Sequence, residues 1–300
     1  MEATRSTQRT GVAYGLAAYL AWGLCPIYFK SVAHVPPWEV LTQRIVWSLV
    51  LLLVLLWRRG RLTEFTTAVR KPRVLLALGT STLLVALNWF TFIWAVTNAQ
   101  LLQASLGYFI NPLVNVLLGM LVLRERLRPW QWVSVGLAVF GVVLLSVRLG
   151  GVPVISLVLA GSFGLYGLIR KTTAVGATAG LAVETALLTP VALAVLLWWD
   201  RQGTLVFGHL DRTTDGLLAL SGLVTALPLV WFAAGARRLR YATMGFLQYL
   251  APSGQFLLAV LAYHEPFSRQ EFTSFLVIWV ALGIYSLDTA LANRSRQRGS

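Results

Sequence analysis

The chain has 300 residues, 57% of them hydrophobic and only 12% charged, with a net charge of +14 and a mean hydropathy of +0.70. A soluble domain carries roughly 25% charged residues, so the composition excludes an ordinary water-soluble fold and indicates an all-α polytopic membrane protein. The single cysteine, Cys25, excludes intrachain disulfides and cysteine-rich metal sites, and the basic excess lies between apolar runs and not on a soluble face, which argues against nucleic acid as a partner.

Residues 1–10 are polar, with Arg5 and Arg9, and read as a tail. The apolar run that follows is long, ends at Lys30 and lacks a small-residue cleavage pattern, so it is predicted to be a permanent first span in which Cys25 packs. Apolar runs of about 20 residues cross about 30 Å of hydrocarbon as helices. Ten are predicted: 11–30, 38–57, 73–97, 100–123 and 129–148, then 153–170, 177–198, 214–236, 241–262 and 269–290. Pro37, Pro72, Pro129 and Pro153 fall at or just before span starts, where a missing amide donor costs little. The polar stretches 58–72 and 199–213 are too short for soluble domains, which places function in the membrane part.

Basic residues assign the sides. With the N-terminus inside, six of the 25 Lys and Arg residues fall outside or at outer span ends (Lys30, Arg44, Arg148, Arg201, Arg212 and Arg269), and the other 25 − 6 = 19 fall inside. Both termini are therefore predicted to be cytoplasmic.

Two stretches 140 positions apart resemble each other: NAQLLQASLGYFINPLVNVLLGMLVLRERL at 98–127 and RLRYATMGFLQYLAPSGQFLLAVLAYHEPF at 238–267. Superposing Pro112 on Pro252 also superposes Glu125 on Glu265 and Phe109 on Tyr249. Gly23 and Lys30 align with Gly164 and Lys171 at nearly the same offset, and Arg44 falls opposite Glu184. Five spans per half is odd, so the second half enters the membrane from the other side. The expected architecture is ten transmembrane helices in two inverted five-helix repeats, 11–148 and 149–290, with a second tail at 291–300.

Polar groups deep in a span are costly and normally face protein or a watery cavity. Arg44 lies about six residues into the second span and Glu184 about seven into the seventh. They enter from opposite faces, so a direct salt bridge is not expected; each is either a gate on its own side or a structural anchor. Lys30 is expected to snorkel. Asn88, Trp89 and Asn111 lie near mid-depth, and Pro112 and Pro252 each free a carbonyl halfway across, which suits hinges around a cavity and equally suits a plain kink. Tyr108, Gln248 and Tyr249 sit within a turn of those prolines and are expected to supply aromatic and hydrogen-bonding walls of a substrate pathway, in which Asn88, Tyr108, Asn111 and Gln248 contact substrate and Arg44 and Glu184 set charge preference or coupling. Trp22, Trp94 and Trp231 carry less weight, and Trp57, Trp130, Trp132, Trp198 and Trp199 fit an interfacial belt. Gly136 and Gly141 are expected at a close helix contact. There is no phosphate-binding loop, no zinc-protease motif, and His34, His209 and His264 are scattered, so no catalytic residue, metal or cofactor is expected.

NWFTFIWAVTN from Asn88, ASLGYFINPLVNVLLG from Ala104, ERL at Glu125 and GFLQYLAP from Gly245 resemble the RarD-type permeases, in the EamA branch of the drug/metabolite transporter superfamily. AYLAWGLCPIYFK and TQRIVWS, which hold Lys30 and Arg44, are similar to that family's first two spans. The resemblance implies a multi-pass protein of the bacterial inner membrane, ten helices in two EamA repeats, that exports small metabolites, amino acids or drugs by alternating access; as a secondary transporter the chain is expected to have a central cavity lined by spans one, three, four, six, eight and nine. One departure is Gln103, where the resemblance implies an acidic residue before ASLGY; any proton coupling then falls to Glu184. A membrane enzyme acting on a lipid-linked substrate is the alternative, and a receptor or accessory subunit a more distant one.

Overall fold

The computed structural model describes residues 2–97, 101–148, 154–262 and 269–298. Among them the chain is helical, without strands. The helices are α1 (Glu2–Ser31), α2 (Pro37–Arg58), α3 (Leu62–Arg70), α4 (Pro72–Thr97), α5 (Leu101–Leu121), α6 (Pro129–Arg148), α7 (Val154–Thr172), α8 (Ala177–Arg201), α9 (Arg212–Ala236), α10 (Tyr241–Gln248), α11 (Leu250–Leu257) and α12 (Arg269–Arg298). A π-helical turn, Leu258–Ala262, continues α11. Within the described residues α1, α2, α4, α7, α8 and α9 are long and apolar enough to cross a membrane, and α5, α6 and α12 carry shorter apolar stretches.

The apolar faces follow a membrane logic. On α4, Leu76, Leu83, Leu87, Phe90 and Trp94 form an exposed stripe at helical spacing, whereas Leu78, Ser81, Thr82, Val85 and Asn88 are buried. The greasy side faces outward and the hydroxyl- and amide-bearing side faces the bundle, the arrangement that a hydrocarbon solvent favours. Trp57, Trp130, Trp132 and Trp198 are exposed near helix ends, where an aromatic belt belongs.

The structure departs from the sequence reading in four places. α1 begins at Glu2 and α12 runs to Arg298, because helical hydrogen bonding does not stop where the apolar window does. The stretch 58–72 contains α3, which puts buried Ala68 and half-buried Phe65 against α8. The ninth span is broken at Tyr249: Pro252 has no amide for the Gln248 carbonyl and its ring crowds that carbonyl, so α10 ends there. Pro112, by contrast, sits inside one continuous α5. Finally, Gly136 is exposed, with nothing within 4 Å of the place a methyl group would take. The close approaches use other glycines: a methyl at Gly164 would meet Val114 Cγ1 at 2.7 Å, and one at Gly245 the Pro112 carbonyl oxygen at 2.7 Å.

Two cores result. One lies among α1, α2, α4, α7, α8 and α9 and holds Tyr19, Leu52, Leu78, Tyr166 and Phe232. The other lies among α5, α6, α10 and α12, where Phe246 stacks on Tyr285 at 3.8 Å beside Phe109 and Ile278. α5 packs on α7 and α10, α1 on α9 and α11, α4 on α7 and α8, α2 on α8 and α9, and α6 on α12. Glu125, just past α5, accepts the Tyr241 and Ala242 amides at 2.6 and 3.1 Å and so caps α10. Its sequence counterpart Glu265 lies outside the described residues.

Candidate functional site

Arg44 sits in the second turn of α2. Its position is set by a glycine: a methyl at Gly222 would run into the Trp47 backbone and reach within 2.7 Å of the Ser48 amide nitrogen, so α2 and α9 touch backbone to backbone there. Ser48 Oγ donates to the Gly222 carbonyl at 3.2 Å, and one turn along, Arg44 Nε donates to Thr225 Oγ1 at 2.7 Å. The Arg44 Cζ lies 5.4 Å from the ring centroids of both Phe29 on α1 and Trp89 on α4. Cys25, Tyr28 and Tyr108 stand within electrostatic reach. Tyr108, on α5, is 38% exposed and meets Phe92 edge-on at 6.0 Å. Arg44 and Trp89 are half-buried. Five helices thus converge on one guanidinium with aromatic walls, an environment in which cation–π attraction replaces part of its hydration.

Polar contacts tie the helix ends together on the Glu39 side of this centre. Buried Glu39 accepts the Val206 and Phe207 amides at 3.1 and 2.8 Å, and Tyr28 Oη donates to the Leu217 carbonyl at 2.9 Å. Asp211 caps α9 by accepting from the Thr214 amide at 2.8 Å and its hydroxyl at 2.7 Å. That hydroxyl proton is then committed, so His34 Nε2, 3.0 Å away, is the donor in its bond to Thr214 Oγ1. The Thr214 hydroxyl and amide hold the Asp211 carboxyl below its usual range.

Glu184 belongs to a different centre. Its carboxylate accepts from Ser81 Oγ on α4, lies 3.4 Å from Tyr166 Oη on α7, and faces Arg170 Nε at 3.6 Å. Both charged side chains are at most 2% exposed. Arg170 Nη2 donates to the Ala177 carbonyl at 2.9 Å, and the guanidinium lies flat over Gly180, where any side chain would collide with it. Sequence reasoning placed Arg170 with the inner-loop charges; in the structure it turns into the bundle. Its spacing of four from Tyr166, on one helix face, was the available signal. No residue is shared between the surroundings of Arg44 and those of Glu184, in keeping with the expected lack of a bridge.

The other expected pathway residues fasten helices. Asn88 Nδ2 donates to the Leu159 carbonyl at 2.9 Å and to Ser162 Oγ at 3.0 Å, and Asn111 Nδ2 to the Ala160 carbonyl at 2.6 Å, so α4 and α5 both grip the middle of α7. Gln248 Oε1 accepts from Asn115 Nδ2 at 2.9 Å, and Tyr249 Oη donates to the Phe109 carbonyl at 3.3 Å. Asn115, one turn after Asn111, was missed. Trp22 packs with Tyr19, Phe163 and Phe232, whereas Trp94 is exposed. The Gln103 side chain lies outside the described residues.

The end opposite Glu39 opens as a crevice of about 780 Å³ between α1, α3, α4, the α7–α8 connection and α9. Arg59, Arg61, Lys71, Arg237 and Arg238 line it, with Glu64 as the acid and Val74, Val230 and Ala234 as apolar wall. Glu64 is held by Arg61 at 2.6 Å, and Arg238 stacks over Tyr14 at 5.3 Å. Burial and then the Arg170 and Arg238 charges push Arg237 below the usual guanidinium value. Its volume suits a small molecule.

Residues 9–147 match the EamA-like transporter family. An uncharacterized transporter of Pseudomonas aeruginosa is 47% identical over 93% of this chain and 94% of its own length, and protein RarD of Escherichia coli is 43% identical over 95% and 97%. A solved crystal structure superposes with a TM-score of 0.72 at 21% identity, covering 93% of this chain and 98% of that one, and it speaks for the fold alone. The described helices and these relatives make the molecule a multi-pass membrane protein; the chain belongs to the EamA-like transporter family, as a RarD-type permease of the drug/metabolite transporter superfamily.

Proposed function

We propose that the chain is a secondary transporter of the bacterial inner membrane, with both termini cytoplasmic, that exports small metabolites, amino acids or drugs by alternating access between two inverted five-helix halves. The halves are 11–148 and 149–290. The pattern of helix contacts supports this reading. Exchanging α1, α2, α4, α5 and α6 for α7, α8, α9, α10–α11 and α12 turns the α5–α7 contact into α1–α11, α1–α9 into α4–α7, and α2–α9 into α4–α8. The contacts α2–α8, α5–α10 and α6–α12 map onto themselves. Gly23 against Ala251 and Gly254, and Gly164 against Val114, are the same contact seen twice. A pseudo-two-fold axis in the membrane plane produces this pairing.

The difference between the two ends carries the transport reading. In this reading the Glu39, Tyr28 and Thr214 contacts latch the outer end and the inner end holds the crevice of about 780 Å³, a difference that supports loading from the cytoplasm. Arg44, Trp89 and Tyr108 form the substrate chamber in this reading. Asn88, Asn111, Gln248, Tyr249 and Pro112 hold its walls, and Pro252 supplies the hinge. Proton coupling through Glu184 draws less support, because that carboxylate is engaged by Arg170, Ser81 and Tyr166. Relatives named as transporters lend nothing to the membrane-enzyme alternative.

Site-directed labelling tests the proposal. With Cys25→Ser as background, a thiol at Val74 reacts with an impermeant reagent added from the cytoplasmic side and not from the outside. Labelling from the outside only overturns the orientation. Absence of flux for a mixed metabolite load in proteoliposomes overturns the transporter reading.

A further inference from the structure

We infer that the substrate carries a carboxylate next to an apolar or aromatic body, and that Arg44 is the residue that reads it. This rests on the transporter reading and names the substrate class of the same chamber.

A guanidinium inside a membrane protein is retained when it meets a carboxylate, a set of carbonyls or a ligand. Every carboxylate whose side chain the structure describes is engaged elsewhere. Glu39 holds the Val206 and Phe207 amides, Glu64 holds Arg61, and Glu125 holds the Tyr241 and Ala242 amides. Glu184 faces Arg170, Asp200 faces His209, and Asp288 pairs with Arg128. Asp211 caps Thr214, and Asp215 accepts the Gly208 amide. None of them faces Arg44, whose charged and titratable neighbours are Cys25, Tyr28 and Tyr108.

Geometry adds the second half. Thr225 holds Nε, which leaves the terminal Nη1 and Nη2 pair, a planar arrangement that matches the two oxygens of a carboxylate. Phe29 and Trp89 flank the guanidinium at 5.4 Å and Tyr108 adds a partly exposed ring, so an apolar body bonded to that carboxylate meets aromatic faces. The crevice at the end opposite Glu39 carries five cations against one paired acid, a field that concentrates organic anions at that end.

The test uses the full-length protein in nanodiscs and reads tryptophan fluorescence and thermal shift with matched probes, 3-phenylpropionate against 3-phenylpropanamide and phenylalanine against phenylalaninamide. At least one acid is expected to bind about tenfold or more tightly than its amide, and Arg44→Gln to abolish that preference. Arg44→Lys, which keeps the charge and loses the fork, is expected to fall between the two. Equal response to acid and amide overturns the inference, as does no response to either acid, or an acid preference that survives in folded, monodisperse Arg44→Gln. The transporter reading is judged separately by flux of the mixed load, and stands if any solute crosses.

Discussion

Arg44 and Arg170 are two arginines inside one membrane protein, and they are satisfied in opposite ways. Arg170 has a carboxylate at 3.6 Å, a carbonyl at 2.9 Å, and a berth cleared by Gly180, all sealed at about 1% exposure, so the counter-charge stands beside it although Nε and Nη1 make no hydrogen bond. Arg44 is half-buried, with a threonine hydroxyl and two aromatic faces and no described carboxylate beside it. Desolvating a charge is costly in both places, but only at Arg170 does the protein supply the counter-charge itself. A closed pair of that kind fixes helices to one another. An arginine left half-buried between aromatic walls is available to something that comes and goes.

The sharpest way to break this contrast is to delete one member of each centre. Arg170→Met or Glu184→Ala strands a buried charge and is expected to cost about 3–5 kcal/mol, read as a large fall in melting temperature in detergent, whereas the Arg170→Met and Glu184→Leu double variant recovers most of it. Arg44→Met strands no carboxylate, so its melting temperature should stay within a few degrees of the parent while transport is lost. A collapse of the Arg44 variant, with the single Glu184 variant stable, would exchange the two roles.

A second variant sharpens the comparison by moving the wall and leaving the arginine in place. Gly222→Ala pushes a methyl into the Trp47 and Ser48 backbone, forcing α2 and α9 apart. Overpacking of this kind costs about 1–3 kcal/mol. It also draws Thr225 away from Arg44, so affinity for the carboxylate probe should drop although no group that touches it has been changed. Unchanged binding would mean that Thr225 does not orient the fork.

The difference between the two centres also explains what the sequence could reveal. A lone arginine well inside an apolar run, as at Arg44, is visible because hydropathy alone marks it as costly. Arg170 ends its run beside Lys171, so the pair resembles an inner-loop signal. Lys171 does stay at the helix end, bonding the Ala236 and Leu239 carbonyls, while Arg170 turns inward, and only tertiary packing separates them. The helices were legible for the same reason as Arg44, since length and apolarity are local properties. The break at Tyr249 was signalled by Pro252, yet an identical signal at Pro112 left α5 continuous, because neighbouring helices decide whether a freed carbonyl becomes a bend. Asn88, Asn111 and Gln248 were found by polarity and depth, but polarity does not say whether an amide faces a cavity or a neighbouring carbonyl. The crevice had no local signature: it is bounded by α1, α3, α4, the α7–α8 connection and α9, and depends on how those elements come together.

The smallest effect is expected at the latch above Arg44, which is exposed where the Arg170 centre is sealed. Asp211 is held below its ordinary value of 3.8 by the Thr214 hydroxyl and amide. A carboxyl whose folded value is depressed contributes stability that is complete above its unfolded value and is lost as pH falls through the folded one. Asp211→Ala should therefore lower the melting temperature slightly at pH 7, and parent and variant should converge as the pH is taken below about 4. The Glu184 variants should not converge in that way if burial, and not a solvent-facing cap, sets their cost. Melting curves from pH 7 to pH 3 decide it: a gap for Asp211→Ala that widens in acid would show that Thr214 does not favour the ionised carboxylate.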